Sequence, residues 1–224
     1  MRFLVLEGLD GSGKSTQVKL LCNYLDKISI KYQYLHFPRL EVGVYGNLVA
    51  RFLRGEMGDI DKVDPYLVAL IFAGDRLDAK QMLESWIEMD YLVIVDRYVY
   101  SNIAFQCAKL STINEQKKLA DWIIELEFNY NKLPQPDLNI FIDVPFQFTR
   151  ERLTEERNGS DRNYLKGQQD IHEKDLSFQQ NVSKMYHTLC LEQGNLNIID
   201  CSDESGYIRS PQHIFDSIRQ IINL

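Results

Sequence analysis

Residues 8–15 read Gly-Leu-Asp-Gly-Ser-Gly-Lys-Ser, a match to the phosphate-binding pattern G-x-x-x-x-G-K-[ST]. No other feature of the chain constrains its fold as strongly. Glycines let the backbone curl until successive N–H groups face one centre, and a helix that starts there aims its positive end at the same anion. The pattern therefore demands a strand before the loop and a helix after it. Phe3 to Leu6 is an apolar run of strand length, and Lys14 to Ile28 carries apolar residues at helical spacing. The loop backbone from Gly8 through Leu9, Asp10, Gly11, Ser12 and Gly13, with Lys14, Ser15 and Thr16 at the helix start, is the candidate ATP site. Lys14 would bridge the β- and γ-phosphates, and the Ser15 hydroxyl would hold magnesium.

The remaining chain repeats the same alternation. Strand-like runs occur at Tyr32–Phe37, Tyr91–Val95, Leu138–Val144 and Leu196–Ile199, and helical stretches at Val42–Leu53, Pro65–Met89 and about Ser210–Ile222. Apolar strands separated by helices indicate a parallel sheet covered on both faces. The expected architecture is a three-layer, doubly wound α/β domain of about five parallel strands. With 224 residues, 45% hydrophobic and 25% charged, a single domain over 1–224 is expected. The polar, charge-mixed stretch 157–175 reads either as a surface loop or as a mobile lid over a site.

Composition excludes several classes. A formal net charge of -7 argues against a protein that coats nucleic acid. The four cysteines and four histidines are scattered without paired spacing, so neither a disulfide framework nor a zinc site is expected. The apolar run before Glu7 is too short for a signal sequence, and no stretch reaches the ~20 apolar residues of a membrane span. A soluble, cytoplasmic protein is expected.

Asp96 ends the apolar run Tyr91–Val95, where loop-bearing nucleotide folds keep an acid that holds magnesium through water. A strand-end Asp can also serve as a turn residue or helix cap. The loop itself does not separate GTPases, motors and kinases. Five further blocks do: Glu7-Gly-Leu-Asp10; Phe37-Pro-Arg39; Phe72-Ala-Gly-Asp-Arg76; Asp96-Arg-Tyr98 followed by Ser101-Asn102; and Pro136-Asp137 before a strand ending in Asp143. In these blocks, over roughly residues 1 to 200, the chain resembles the thymidylate kinase family.

The resemblance implies transfer of the ATP γ-phosphoryl group to dTMP, with Mg²⁺ as cofactor, and a homodimer packed through helices such as Pro65–Met89 or Ser101–Leu110. Phe72 and Arg76 lie four residues apart and share a helix face. Alone they read as core and solvated charge. The resemblance makes them the residues that stack on thymine and bond its edge. It also assigns Arg39 and Arg97 to the acceptor phosphate, with Phe37 and Ser101 beside them. Asp10 then serves the ribose 3′ region, Asn102 the base edge, and Phe105 the floor under deoxyribose. One family branch keeps glycine inside the loop and supplies cations from a lid, and Gly11 resembles that bacterial-like branch. The lid is expected at about 152–174, with Arg152, Arg157, Arg162 and Lys166 as candidates. Arg157 and Arg162 are favoured over Arg152, which falls within a helix. The catalytic set is thus Lys14, Asp10, Arg97, Arg157 and Arg162, with Ser15 and Asp96 for the metal. Two features depart from the family: Leu40-Glu-Val-Gly-Val-Tyr after Arg39, and the length of the lid. Rival readings are a kinase for another nucleoside or monophosphate, and a nucleotide-driven switch. No Asn-Lys-x-Asp guanine motif is present.

Overall fold

Strand β1 (Phe3–Glu7) is buried at all five positions and lies at the centre of a parallel sheet of order β2-β3-β1-β4-β5. A strand covered on both faces has no polar side, which is why it reads as a continuous apolar run. Its neighbours are β3 (Leu92–Asp96), in register Phe3↔Val93 to Leu6↔Asp96, and β4 (Leu138–Asp143), from Leu4↔Leu138 to Glu7↔Phe141. The edges are β2 (Tyr32–His36) and β5 (Leu196–Asp200), both partly exposed. The computed structural model describes residues 1–154 and 164–223.

The two-residue period of the strands sorts the core. Phe3, Val5, Val93, Val95 and Phe141 face one layer, made by α3 (Pro65–Glu88), α4 (Val99–Cys107), α5 (Ile113–Ile124) and α7 (Leu176–Glu192). Leu4, Leu6, Ile94, Ile140 and Ile142 face the other, where α1 (Lys14–Lys27) and α8 (Pro211–Ile222) pack. A smaller cluster of Val49, Phe52, Leu53, Val68 and Ile171 seats α2 (Gly43–Leu53) and the segment before α7. Between β4 and α7 lies α6 (Phe146–Thr154). This is the three-layer α/β sheet expected, with its five strands within a residue or two of the expected runs.

Helix starts follow ordinary capping chemistry. The Asp64 carboxylate accepts from Tyr66 N at 2.8 Å ahead of Pro65, and Ser210 precedes Pro211 and accepts from His213 N. One element departs from the regular pattern: Glu125–Tyr130 continues α5 as a π-helical turn. That turn carries Glu127, whose carboxylate is fully buried. Among the described residues no helix is long and apolar enough to cross a membrane.

Candidate active site at the carboxyl ends of β1 and β3

The strand order reverses at the centre of the sheet, so loops leaving β1, β3 and β4 diverge and open a crevice at their carboxyl ends. A cavity of about 960 Å³ lies there. Its middle is the loop between β1 and α1. Gly13 (φ 83) starts α1 with nothing near its missing side chain, so the left-handed backbone alone demands glycine. Gly11 (φ 75) is constrained twice, since a Cβ there would sit 3.0 Å from Arg152 Cβ. The Lys14 ammonium donates to Leu9 O at 2.8 Å and Gly8 O at 3.2 Å. Burial pushes its pKa down to about 8, reinforced by the Arg97 charge and opposed by Asp96 and Asp10.

Asp96 ends β3 beside this loop. Burial opposes its ionisation, but Lys14 and His36 outweigh that and hold its pKa below the usual carboxylate range. His36 Nδ1 lies 3.3 Å from Oδ2, whereas Oδ1 is buried without a partner among the described residues. A buried anionic oxygen left open on a cavity that Ser15 also lines suits a hydrated cation, so the residues fit magnesium.

On one side of the loop, Arg97 has the left-handed φ of 67, uncommon for a side-chain-bearing residue and typical of constrained sites. The conformation aims the guanidinium across the cavity. Nη2 donates to Asp10 Oδ1 at 2.8 Å, Nη1 to Ser101 Oγ at 3.1 Å, and the group lies 4.8 Å over the Phe105 ring. Burial opposes the Asp10 carboxylate, yet Arg97 and Lys14 together depress its pKa. Ser101 Oγ also bonds Glu7 and, at 2.7 Å, Tyr186 OH. The Ser101 hydroxyl therefore braces Arg97. Glu7, buried and raised in pKa by that burial, further accepts from Tyr98 N and Ser101 N at 3.0 and 3.2 Å. It fixes the turn that presents Arg97. Arg39 is held likewise by Asp75, with Nε to Oδ1 at 2.9 Å and Nη2 to the Asp75 carbonyl at 2.8 Å.

Beyond the arginines the wall becomes aromatic. Phe72 and Phe105 line it, with Arg76 and Asn102 beneath. Arg76 is paired with Glu127 through Nε and, at 2.6 Å, through Nη2. Asn102 Nδ2 donates to Glu127 Oε1 at 2.8 Å and Ala69 O at 3.0 Å. His172 closes this end: its ring is stacked with Phe72 (centroids 6.4 Å, 21°) and tilted against Phe105 at 5.0 Å. Burial, then the Lys109 charge, lowers its pKa well below the ordinary value, so the imidazole is neutral. Asp170 lies beside it and accepts from Tyr164 OH at 2.7 Å, and burial with the Asp10 charge pushes its pKa up to about 7. The opposite end of the cavity is lined by Gln17, Phe148, Arg152, Ile208, Arg209 and Pro211.

The structure thus brings onto one cavity Asp10, Gly11, Ser12, Gly13, Lys14, Ser15, Thr16, Phe37, Arg39, Phe72, Arg76, Asp96, Arg97, Ser101, Asn102 and Phe105. Gly8 and Leu9 do not line it; they act through the carbonyls that hold Lys14. Arg157 and Arg162 lie outside the described residues. Arg152 does belong to α6, as expected, yet its place in a helix does not remove it from the site: it lines the cavity against Gly11. The sequence reading missed His172, Asp170, Tyr164, Gln106, Glu127, and the donor-end residues Gln17, Phe148, Ile208 and Arg209. The signal for His172, Asp170 and Tyr164 was the polar stretch already marked as lid, and Gln106 and Glu127 carried none.

Comparison with known proteins bears on the family and the fold. The family model for thymidylate kinase matches residues 6–210. Thymidylate kinase from Mycobacterium tuberculosis is 32% identical over 189 residues, covering 84% of this chain and 86% of that protein. A probable thymidylate kinase from Pyrobaculum aerophilum is 29% identical over 224 residues, 99% of this chain and 96% of its own. The solved structure of thymidylate kinase from Candida albicans superposes with a TM-score of 0.74 at 22% identity, over 99% of this chain and 91% of that one, which speaks for the fold.

Proposed function

Because the chain belongs to the thymidylate kinase family, it transfers the γ-phosphoryl group of ATP to dTMP, giving dTDP, and we propose that one continuous cavity holds both substrates with the transfer point between Lys14 and Arg97. The observation that carries this assignment of the site is the junction itself. A phosphate-binding loop opens directly onto two braced arginines and, beyond them, an aromatic pocket with polar groups at its base.

The acceptor oxygen is already anionic, so the reaction asks for alignment and charge neutralisation more than for covalent help. Lys14 exchanges its two carbonyl partners for the β- and γ-phosphates. Arg97 and Arg39 grip the acceptor phosphate, and their guanidinium forks suit it because planar paired donors match phosphate oxygens. Asp10 with Ser101, and Asp75, hold these forks before substrate arrives, so little reorganisation remains for the transition state. Arg152, beside Gly11, supplies a cation where this family branch has no loop arginine. Ser15 and Asp96 hold magnesium, which when bound screens the phosphate charges. Phe72 stacks on the base, and Phe105 crowds a 2′-hydroxyl. The segment around 152–174 serves as a lid that keeps water from the γ-phosphate.

We place the protein in the cytoplasm as a homodimer. Of the two helices expected to serve the interface, α4 is wholly buried in its own core, whereas α3 exposes Leu67, Leu70 and Leu77, and α2, which packs on α3, exposes Val44. Exposed apolar side chains grouped on one pair of helices are the kind of surface that association covers.

The test is release of ADP with ATP and Mg²⁺, comparing dTMP with dUMP, UMP, dCMP, AMP and thymidine. dTMP should be preferred and thymidine inert, since two arginines require its phosphate. ADP release that is equal with and without an acceptor would refute the assignment of the site.

A further inference from the structure

Glu127 is a charged group beside the acceptor pocket for which the reaction itself offers no use. Its carboxylate is fully buried, sits on the π-helical turn after α5, and has donors from two other elements. Arg76 of α3 donates through Nε and Nη2, and Asn102 of α4 through Nδ2. An ordinary α-helical continuation would turn this residue by a different angle, and π insertions recur where a side chain is re-aimed at a functional site.

The consequence for Asn102 follows from what each atom can do. A carboxylate and a peptide carbonyl only accept, so the group facing Glu127 Oε1 and Ala69 O must be the amide NH₂. Oδ1 is thereby turned away, and it is buried with no partner among the described residues, on a side chain that lines the cavity. Arg76 is fixed in the same manner. With Nε and Nη2 engaged by Glu127, Nη1 is left without a partner among the described residues. The base of the pocket then offers one acceptor, Asn102 Oδ1, and one donor, Arg76 Nη1.

We propose that Glu127 is a positioning residue that sets which pyrimidine the enzyme accepts, by locking Asn102 as an acceptor and Arg76 as a donor. This rests on the reading of the pocket as the dTMP site. The thymine or uracil edge carries an N3–H donor beside an O4 acceptor and complements that pair. The cytosine edge carries an N3 acceptor beside an amino donor, the reverse arrangement, and would meet like against like at both positions. A site built to bond one pattern rejects the other strongly, because its buried polar groups would be left unpaired.

The decisive variant is Glu127→Gln. Its amide keeps the shape but puts an NH₂ where one of the two carboxylate oxygens stood: with the oxygen in the Oε1 place Arg76 Nε faces a donor, and with it in the Oε2 place Arg76 Nη2 and Asn102 Nδ2 do, so the full set of three bonds cannot be kept. Either one partner is released or Asn102 turns its NH₂ toward the pocket. The ratio of kcat/KM for dTMP to that for dCMP is expected to fall by about tenfold or more. The change should appear in the KM for dTMP, with kcat at saturation within a few-fold of wild type and the KM for ATP unchanged. A purely structural role would lower the melting temperature and leave that ratio where it was, and this result would overturn the proposal. Should the variant fail to fold, Asn102→Ala keeps the Arg76–Glu127 pair and removes the acceptor; it must then lose the preference for dTMP, and retention would overturn the proposal equally. A wild-type enzyme that did not distinguish dTMP from dCMP would refute the reading of the pocket itself. A wild-type preference that survives both substitutions would refute Glu127 alone.

Discussion

Truncating Arg76 offers a measurable test of how the acceptor pocket is held together. In the folded protein Arg76 is 2% exposed and Glu127 0%, and the guanidinium supplies two of the three side-chain donors to that carboxylate. In Arg76→Ala the carboxylate keeps one neutral donor, Asn102 Nδ2. Removing one member of a buried ion pair costs about 3–5 kcal/mol, most of it the penalty of the charge left behind. The truncated side chain opens onto the cavity, which admits water and favours the lower end of that range. For a domain of this size 1 kcal/mol moves the melting temperature by roughly 2–4 °C, so a drop of roughly 6–20 °C is expected. Thermal and urea unfolding of Arg76→Ala, Glu127→Ala and the double variant close a thermodynamic cycle. The double variant carries no orphaned charge. It should therefore be more stable than the sum of the singles by about 2 kcal/mol or more. Additivity within ~0.5 kcal/mol would refute the claim that the two side chains depend on each other, and with it the physical basis for a Glu127-dependent pocket.

Other expectations are independent of that pair. Lys14→Ala should reduce turnover by several orders of magnitude, read in the ADP-release assay, because Lys14 is the one cationic side chain in the loop 8–15. In the free enzyme Lys14 loses its proton near pH 8, so kcat/KM for ATP should decline as pH rises through that value, while kcat persists to higher pH because bound phosphates hold the ammonium charged. A flat kcat/KM profile from pH 7 to 9 would refute the shift. Asp170, pushed up to about 7, keeps its proton in the folded state between about pH 4 and 7 after the unfolded chain has lost it, so it withdraws stability as pH rises through that window. Asp170→Asn should accordingly raise the melting temperature more at pH 8 than at pH 5 by calorimetry, and an equal gain at both would count against it. At Gly74 an added Cβ would come within 2.3 Å of Tyr45 Cδ1 and Cε1. The helix preference for alanine, about 1 kcal/mol, is smaller than the ~1–3 kcal/mol of forcing that ring aside, so Gly74→Ala should destabilise the α2–α3 packing. A higher melting temperature would show that the ring moves freely.

The parts of this molecule that were legible in the sequence are those set by neighbours along the chain. Phe3–Leu6, the curled glycines and Lys14 each act with residues close to them, and the continuous apolar runs of β1, β3 and β4 follow from burial on both faces. The unread parts depend on distant partners. Phe72 and Arg76 could be placed on one helix face by their spacing, but whether a guanidinium there is solvated or buried depends on a carboxylate 51 residues later. The same holds for Arg39, whose bracing Asp75 is 36 residues away, and for Arg97 with Asp10 at a separation of 87. Hydrophobic pattern carries no trace of such pairings, because a buried charge is tolerated only through the geometry of its partner. Glu127 is the extreme case. In Glu-Leu-Glu-Phe-Asn-Tyr it reads as one more surface acid, and only a π-helical register, invisible to a 3.6-residue period, turns it inward. The interior of an active site is therefore where local pattern has least to say. There each polar residue is defined by whichever long-range partner neutralises it, and Arg76, Asn102 and Glu127 acquire a joint meaning that none of them carries alone.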